Sequence, residues 1–303
     1  MEFSITILGI NSAKPAYNRN QTSQLIHHHL EDYLIDCGEG TQLQLVKFQK
    51  KMGKINHIFI SHLHGDHYFG LIGLLSTMNM SHRETPLHVY APAELEEIIL
   101  LQNKISGTRY YYPFLFHAID TTKNQVIYEN DYLTVETIPM DHFIACSGFL
   151  FKEKPKKKNL FAEKLLPTFT IADKIALRNG DDIQKDDMLY KNSDFTYSKR
   201  SRSYAYCSDT KYNERIIDQI TGVDILYHEA TYMNQKANEA TTRYHSTAEQ
   251  AALIAKKANA KKLILGHYSS RYKELDGLLA EAKLVFEQSY LGIEGETIEL
   301  VDE

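Results

Sequence analysis

One short segment of this 303-residue chain contains four potential metal ligands within six positions. It reads Ser61-His62-Leu63-His64-Gly65-Asp66-His67, after the apolar run Ile58-Phe59-Ile60 and before a helical pattern that includes Leu71, Ile72, Leu74 and Leu75. A tight turn between a strand and a helix can direct His62 and His64 to one side, with Asp66 and His67 at a second position nearby. The segment therefore predicts a site for two metal ions about 3.5–4 Å apart. The alternative, ordinary surface or core residues, would crowd three histidines and an aspartate into one turn without partners.

This block resembles the metal-binding motif of the metallo-β-lactamase superfamily, which takes its remaining ligands from the ends of later strands. Three residues occupy such positions, namely His142, Asp209 and His267. The resemblance implies the following sets: His62, His64 and His142 for the first metal, and Asp66, His67 and His267 for the second, with Asp209 bridging the two. Nitrogen and carboxylate ligands without a thiolate favour two Zn²⁺ ions, with Mn²⁺ or Fe²⁺ as alternatives.

The remaining chain has the pattern of one large α/β domain spanning residues 1–303, with 43% hydrophobic and 24% charged residues. Apolar alternation predicts strands at about 3–8, 24–29, 33–36, 56–60, 86–90, 114–118, 132–138, 203–207, 224–228 and 262–266. Helical periodicity predicts helices at about 39–50, 67–78, 92–103, 212–220, 246–258 and 276–287. The resemblance implies the metallo-β-lactamase fold, a four-layer αβ/βα sandwich of two mixed β-sheets flanked by helices.

Several further motifs are more specific than the histidine block. They are Arg19-Asn20-Gln21-Thr22-Ser23, Asp36-Cys37-Gly38-Glu39-Gly40-Thr41-Gln42, the stretch from Phe59 to Leu71, His228-Glu229-Ala230-Thr231, and His245-Ser246-Thr247-Ala248-Glu249-Gln250. Together they are similar to motifs of the ribonuclease Z family, over about 3–150 and 203–290. This resemblance implies a metal-dependent phosphodiesterase that removes 3′ trailers from precursor tRNA. A metal-activated water would attack the phosphodiester and leave a 3′-hydroxyl on the tRNA.

The same resemblance implies the catalytic residues. Asp66 accepts a proton from the attacking water, and Glu229 orients His245, which acts as general acid to the leaving oxygen. The alternative for the His245 segment is purely structural, with Ser246 or Thr247 capping a helix and Glu249 completing a capping box. Arg19, in the first loop, and Arg271, after the last ligand, are candidates for substrate binding. A solvated or salt-bridged side chain is the alternative for Arg271.

Residues 152–200 are polar and have the pattern of an inserted arm. Ribonuclease Z enzymes of bacteria commonly carry an arm here that grips the tRNA elbow through a Gly-Pro tip, which implies tRNA contacts for Lys156, Lys157 and Lys158. This chain departs from that pattern, because the stretch Leu166-Pro167-Thr168-Phe169-Thr170-Ile171 contains no Gly-Pro pair. A run of lysines on a solvated face is the alternative.

The net charge of −5 argues against a protein that coats nucleic acid by charge alone, so any RNA contact must be local. No apolar run approaches the ~18 residues needed to cross a bilayer, and the chain begins without a signal-peptide pattern. These features predict a cytoplasmic protein with no membrane partner, and the resemblance implies a homodimer. The rival function is a hydrolase of small phosphodiesters or esters on the same fold. A non-enzymatic RNA-binding module would require a broken ligand set.

Overall fold

The computed structural model describes residues 2–301. The strands are β1 (Phe3–Gly9), β2 (Ser23–His28), β3 (Glu31–Ile35), β4 (Ile55–Phe59), β5 (Leu87–Ala91), β6 (Phe114–Ala118), β7 (Val126–Glu129), β8 (Leu133–Pro139), β9 (Ser147–Glu153), β10 (Asn159–Leu160), β11 (Ile183–Lys185), β12 (Met188–Tyr190), β13 (Thr196–Tyr197), β14 (Ser203–Cys207), β15 (Ile225–Glu229), β16 (Lys262–Gly266), β17 (Ser289–Leu291) and β18 (Thr297–Glu299). The helices are α1 (Thr41–Lys47), α2 (Gly65–Tyr68), α3 (Leu71–Met80), α4 (Glu94–Ser106), α5 (Ile171–Asn179), α6 (Asn192–Phe195), α7 (Ala237–Thr242), α8 (Ala248–Lys257) and α9 (Asp276–Val285). Within residues 2–301, no helix is long and apolar enough to span a membrane.

Two seven-stranded sheets pack face to face, in the orders β18-β1-β2-β3-β4-β5-β6 and β17-β16-β15-β14-β9-β8-β7. Both sheets are mixed, since β3 to β6 and β14 to β17 run parallel and the other neighbours run antiparallel. Aromatic rings fill the space between the sheets: Phe59 lies 5.5 Å from both Phe149 and Phe151, measured between ring centroids. The predicted arrangement of two mixed sheets is confirmed.

Helices cover the outer face of each sheet and complete four layers. Leu71, Leu74 and Leu75 of α3 are fully buried in the apolar cluster that includes Ile58 and Val89 of the first sheet. The small residues of α8, such as Ala251, are buried in the cluster of the second sheet. Each helix buries one apolar stripe, which is the ordinary way for an amphipathic helix to gain stability.

The prediction of a helix at 212–220 is wrong. Only a 3₁₀ turn forms, at Glu214–Ile216, where the Asn213 side chain accepts a hydrogen bond from the Arg215 amide. The Gln219 side chain donates to the carbonyl of Thr137 (2.9 Å), and the chain reverses at Gly222 with φ of 73°. The backbone amides here bond mainly to carbonyls three residues earlier, as Ile217 does to Glu214 (3.1 Å) and Gln219 to Ile216 (3.1 Å), so no regular α-helix forms.

The helix predicted for 67–78 divides into α2 and α3, and four strands of the large sheets were not predicted. The break falls at Gly70, whose amide donates to the Cys37 carbonyl (2.9 Å) instead of continuing α2. The unpredicted strands are β7, β9, β17 and β18. Strand β9 is almost entirely apolar and buried up to Phe151, so it lacks the alternation that identifies a half-exposed strand.

Residues 154–202, between β9 and β14, form a small substructure with its own apolar cluster. Phe169, Leu177 and Ile183 are its buried members. Helix α5 begins with a capping box between Thr170 and Asp173. At the base of this segment, Glu153 is 2% exposed and accepts hydrogen bonds from the Arg202 side chain. A buried ion pair with these direct contacts fixes the segment to the sheet.

Candidate metal centre and active site

The predicted ligands come from strand ends that meet at one end of the sandwich. Asp209 lies two residues after β14, Glu229 is the last residue of β15, and His267 directly follows β16. Because these three strands are parallel neighbours, their carboxyl ends share one edge of the sheet. His142 follows β8 of the same sheet, and residues 62–67 follow β4 of the facing sheet. All seven predicted metal ligands are thereby brought together.

The first cluster consists of His62, His64, His142 and Asp209. The Nδ1 atom of His64 lies 3.1 Å from Nε2 of His62 and 3.1 Å from Nε2 of His142. Oδ2 of Asp209 lies 3.6 Å from Nε2 of His62 and 3.9 Å from Nε2 of His142. One ligand atom from each residue lies within 4.8 Å of all the others, so the four can surround one cation.

The second cluster consists of Asp66, His67 and His267, next to the other oxygen of Asp209. Oδ2 of Asp66 is 3.6 Å from Nε2 of His67 and 3.4 Å from Nε2 of His267. Oδ1 of Asp209 is 3.4 Å from Nε2 of His67 and 3.2 Å from Nε2 of His267. The two oxygens of Asp209 thus face different clusters, as a bridging carboxylate would.

The chemistry of this donor set fits divalent cations. Asp209 is 2% exposed, and its Oδ1 atom has no hydrogen-bond partner among residues 2–301. A buried carboxylate oxygen without a donor is costly, whereas a cation would satisfy it. Burial, together with the neighbouring His67, lowers the pKa of His62 well below its usual value, which keeps the imidazole in the neutral form that binds metal.

Four of the five histidines are oriented by a hydrogen bond at Nδ1, which leaves Nε2 facing the clusters. The partners are Ser61 Oγ for His62 (3.0 Å), Asp36 Oδ2 for His67 (2.7 Å), the Tyr244 carbonyl for His142 (3.0 Å) and Thr231 Oγ1 for His267 (2.9 Å). The fifth, His64, faces the first cluster with Nδ1 itself. The ring orientations are therefore fixed by the protein.

Asp36 is a functional candidate that the sequence interpretation did not identify. Its Oδ2 atom contacts Nδ1 of His67 (2.7 Å) and accepts hydrogen bonds from the Tyr206 hydroxyl (2.6 Å) and the Ser61 hydroxyl (2.9 Å). Its Oδ1 atom accepts from the Ser61 amide (2.7 Å). The backbone of Asp36 lies in the left-handed region, with φ of 53°, as does that of His267, with φ of 56°. The available signal was a carboxylate directly after a buried strand.

We expect Asp36→Asn to weaken metal binding at the second cluster by about 10- to 100-fold, because the amide cannot hold His67 with a charged acceptor. Chelator competition followed by metal analysis measures this affinity. Asp32→Asn is the matched control, since Asp32 is also buried and contacts a histidine, His27 (2.6 Å), at the far end of β3. Equal metal affinity in the two variants would contradict the positioning of His67 by Asp36.

Two glycines allow the Asp36 loop to approach the ligand turn. A Cβ on Gly38 would lie 2.4 Å from the Asp66 carbonyl oxygen, and a Cβ on Gly70 would lie 2.3 Å from the Gly38 carbonyl oxygen. Both distances are far shorter than a van der Waals contact, so any side chain at either position would push the two segments apart. The close approach keeps Asp36 within hydrogen-bonding distance of the ligand turn.

His245 and Glu229 form an ion pair at the edge of both clusters. Nδ1 of His245 lies 2.9 Å from Oε1 of Glu229, which is fully buried and also accepts from the Thr210 amide (2.8 Å) and the Thr231 hydroxyl (2.7 Å). Burial by itself would lower the pKa of His245, but the Glu229 carboxylate raises it to about 9. His245 therefore carries a proton at neutral pH, with Nε2 free to donate it.

A helix cap is also present beside His245, without competing with this pair. Thr247 caps α8 in a capping box completed by Gln250. The predicted box with Glu249 is wrong, because the helix begins one residue later than that alternative required. Capping and the His245–Glu229 pair are thus separate features of adjacent residues.

The two arginines predicted to bind substrate lie on loops next to the second cluster. Arg271 donates to both carboxylate oxygens of Glu239, at 3.1 and 2.7 Å, and lies 5.0 Å from the Tyr232 ring centroid. Arg19 donates to the carbonyls of Tyr272 and Lys273, which ties the first loop to the segment after His267. Arg271 is therefore salt-bridged, and Arg19 holds two loops together.

The lysines predicted to bind substrate lie far from the metal ligands. The Ser147 amide, at the start of β9, donates to the Ser61 carbonyl beside the ligand turn (3.0 Å). Glu153 ends the same strand about 20 Å away, and the Lys156 ammonium contacts it at 2.9 Å. Lys158 donates to the Asn192 side chain within the arm, and Lys157 is exposed. These lysines are at the opposite end of the second sheet from the clusters.

Comparisons with known proteins agree with this architecture. A protein named ribonuclease Z from Cytophaga hutchinsonii is 45% identical, with 100% of this chain and 97% of that protein covered. One of the same name from Bacteroides fragilis is 40% identical over 99% of both chains. The crystal structure of the short form of human tRNase Z superposes with a TM-score of 0.72 at 25% identity, covering 97% of this chain and 98% of that one. A family model described as Anti-Pycsar protein Apyc1 matches residues 3–163.

The two mixed sheets, their helical layers and the strand-end ligand clusters define a metallo-β-lactamase-fold protein. The metallo-β-lactamase-fold protein YhfI of Bacillus subtilis shares this fold, with a TM-score of 0.70 at 20% identity over 99% of this chain and 100% of that one. Within this class, the chain belongs to the ribonuclease Z family, as its full-length relatives show. The protein is a metal-dependent endoribonuclease, as the sequence motifs predicted.

Proposed function

We propose that this protein is a zinc-dependent tRNA 3′-processing endonuclease that cleaves precursor tRNA between the tRNA and its 3′ trailer. The observation that carries the proposal is the pair of clusters sharing Asp209, with the His245–Glu229 pair directly beside them. His62, His64 and His142 would hold one Zn²⁺ and Asp66, His67 and His267 the other. Five imidazoles and two carboxylates without a thiolate suit zinc, and Mn²⁺ or Fe²⁺ can use the same donors.

Bound metals would supply Lewis-acid activation of water and stabilise negative charge on the phosphoryl group. The protein supplies the proton transfers. Asp66 accepts the proton of the attacking water, and its Oδ2 atom is held in place by the Ala13 amide (2.7 Å). His245 donates its proton to the leaving 3′ oxygen of the tRNA, which gives a 3′-hydroxyl on the tRNA and a 5′-phosphate on the trailer. Glu229 keeps His245 protonated and fixes the position of its ring.

The arm would contact tRNA away from the scissile bond. Lys156, Lys157 and Lys158 are about 20 Å or more from the clusters along β9, so they can bind only a distant part of a large substrate.

We extend the proposal to a single domain with 152–200 as its inserted arm, and to a homodimer in which each arm reaches tRNA bound by the other subunit. Light scattering of the purified protein tests the dimer. A cytoplasmic location is part of the same proposal, because the enzyme must meet its precursor tRNA there.

Mapping the cleavage site on one precursor tRNA tests the proposed function. We expect the zinc-loaded protein to cut once, after the unpaired nucleotide that precedes the trailer, and to leave a 3′-hydroxyl. The rival function predicts the reverse preference, with rapid hydrolysis of a small diester such as bis(p-nitrophenyl) phosphate and no specific cut in the RNA. Adding a chelator should stop both reactions, and restoring zinc should recover the one that the protein performs.

A further inference from the structure

A cleft of about 590 Å³ adjoins the first metal cluster on the side of His142. Its walls are the β6–β7 loop, the β8–β9 loop that carries His142, and the segment 213–219. The β8–β9 loop is held firmly, because the Asp141 amide donates to the Thr210 hydroxyl (3.0 Å) and the Lys211 amide donates to the Asp141 carbonyl (3.0 Å). The cleft is therefore a built feature of the site and not a gap beside a loose loop.

The side chains of this cleft have the chemistry that binds a nucleotide. Phe143 is 75% exposed at the rim, and its ring has an edge contact with Tyr244, with 6.1 Å between centroids. The faces of the Phe143 ring can thus stack on a base. The exposed Arg215 side chain also lines the cleft and has no ion pair within residues 2–301, so it can bind a phosphate. Met140 and Ile216 add apolar lining.

The loops around His245 indicate which part of the RNA enters this cleft. In the proposed function His245 protonates the leaving 3′ oxygen, and its ring lies between the two clusters, 5.3 Å from the His142 ring and 5.5 Å from the His267 ring between centroids. Tyr232 is 6.1 Å from the His245 ring between centroids and also contacts Arg271. Arg19 joins the first loop to the segment that follows Arg271. We assign the tRNA end to these loops because they carry Arg19 and Arg271, the two arginines that the family motifs predict to bind substrate. The cleft on the His142 side then receives the other side of the scissile phosphate.

We propose that this cleft binds the first nucleotides of the 3′ trailer, with a base stacked on Phe143 and a trailer phosphate paired with Arg215. This proposal rests on the proposed tRNA 3′-processing activity. It assigns specificity-determining residues that the motif comparison did not identify. It also explains how an acidic protein holds a short trailer, since one stacked base and one paired phosphate replace a broad basic surface.

The test compares Phe143→Ala and Arg215→Ala on matched precursor tRNAs with a six-nucleotide trailer. We expect each variant to lower kcat/KM by about 10-fold. The Phe143→Ala effect should vanish when the first two trailer nucleotides are abasic, because the wild type then loses the same contact. The Arg215→Ala effect should vanish when a neutral methylphosphonate replaces the trailer phosphate. Phe143→Tyr should retain the wild-type rate on the normal trailer.

Two controls separate this cleft from the rest of the enzyme. Tyr111→Ala and Arg109→Ala remove an exposed aromatic ring and an exposed cation at the opposite end of β6, and should leave kcat/KM unchanged. Mature tRNA, which lacks a trailer, should inhibit the cleft variants and the wild type with the same inhibition constant. Weaker inhibition of the variants would place the tRNA end in this cleft and overturn the proposal.

The outcomes also distinguish the cleft from the proposed function. Wild-type cleavage of precursor tRNA with unchanged rates in both cleft variants would reject the trailer site alone. A wild-type protein that leaves precursor tRNA intact but hydrolyses small diesters would reject the tRNA-processing function, and the trailer site with it. Metal analysis of each variant shows whether a lost rate reflects displacement of the adjacent His142 instead of lost trailer binding.

Discussion

Replacing Asp209 with alanine is expected to remove metal from both clusters and RNA cleavage at the same time. The two oxygens of this one carboxylate face different clusters. Oδ2 lies 3.6 Å from Nε2 of His62, and Oδ1 lies 3.2 Å from Nε2 of His267. Without it, each cluster keeps three protein ligands, but the negative charge between two adjacent cations is lost, so their mutual repulsion is no longer offset. Cleavage should fall by at least about 10³-fold. Mass spectrometry of bound metal and a single-turnover cleavage assay measure the two effects on the same sample.

Two comparison variants sharpen this experiment. Asp209→Asn keeps the shape and one oxygen but loses the charge, so it should retain part of the metal and fall between the alanine variant and the wild type. Asp218→Ala removes an exposed aspartate from the same connection between β14 and β15, and this variant should behave as the wild type. Wild-type turnover of Asp209→Ala would refute the shared-ligand arrangement. Loss of one metal only would show that Asp209 belongs to a single cluster.

The convergence of the candidate metal ligands was predictable because it follows from the order of strands and turns. The block from His62 to His67 places four candidate ligands on one turn, which can bring them together. Asp209 and His267 lie far apart in sequence, but both follow parallel strands of one sheet, and parallel strand ends share an edge. From the sequence, only the resemblance to known motifs links the turn at 62–67 to these later strand ends.

Side-chain contacts between separate segments of the chain were not predictable in the same way. The sequence left Arg271 open between substrate binding and a salt bridge, because its partner Glu239 lies on α7, a helix that the sequence pattern did not predict. Asp36 occurs in a recognised motif, but its partners come from two other segments: Ser61 and His67 from the ligand turn, and Tyr206 from β14. Such contacts depend on tertiary packing, which neither periodicity nor spacing along one segment reports.

The contacts of the lysines in the arm were also not predictable from the sequence. The sequence presents Lys156, Lys157 and Lys158 as one basic run, which suggests a common binding face. In the structure, Lys156 contacts the buried Glu153 and Lys158 contacts Asn192, while Lys157 is exposed. Neighbouring residues in an irregular segment point in different directions, so the run is divided between structural contacts and solvent. Any tRNA contact at this end would therefore depend on fewer free cations than the sequence suggests.

His245→Ala is expected to retain both metals but to cleave precursor tRNA about 10²- to 10⁴-fold more slowly, because the leaving 3′ oxygen then departs without a proton. None of the four contacts of the first cluster involves His245, and Glu229 keeps its hydrogen bonds from Thr210 and Thr231 in the variant. Glu229→Gln should show a smaller loss, since it weakens the proton affinity of His245 without removing the imidazole.

A substrate with sulfur in place of the bridging 3′ oxygen separates acid catalysis from structural damage. A thiolate leaves without protonation, so the ratio of wild-type to His245→Ala rates should fall from at least about 100-fold to nearly one on this substrate. A misfolded site would slow both substrates equally. Equal slowing, with metal content unchanged, would mean that His245 does not deliver the proton, and the acid would have to be sought among groups on the Arg271 side of the clusters.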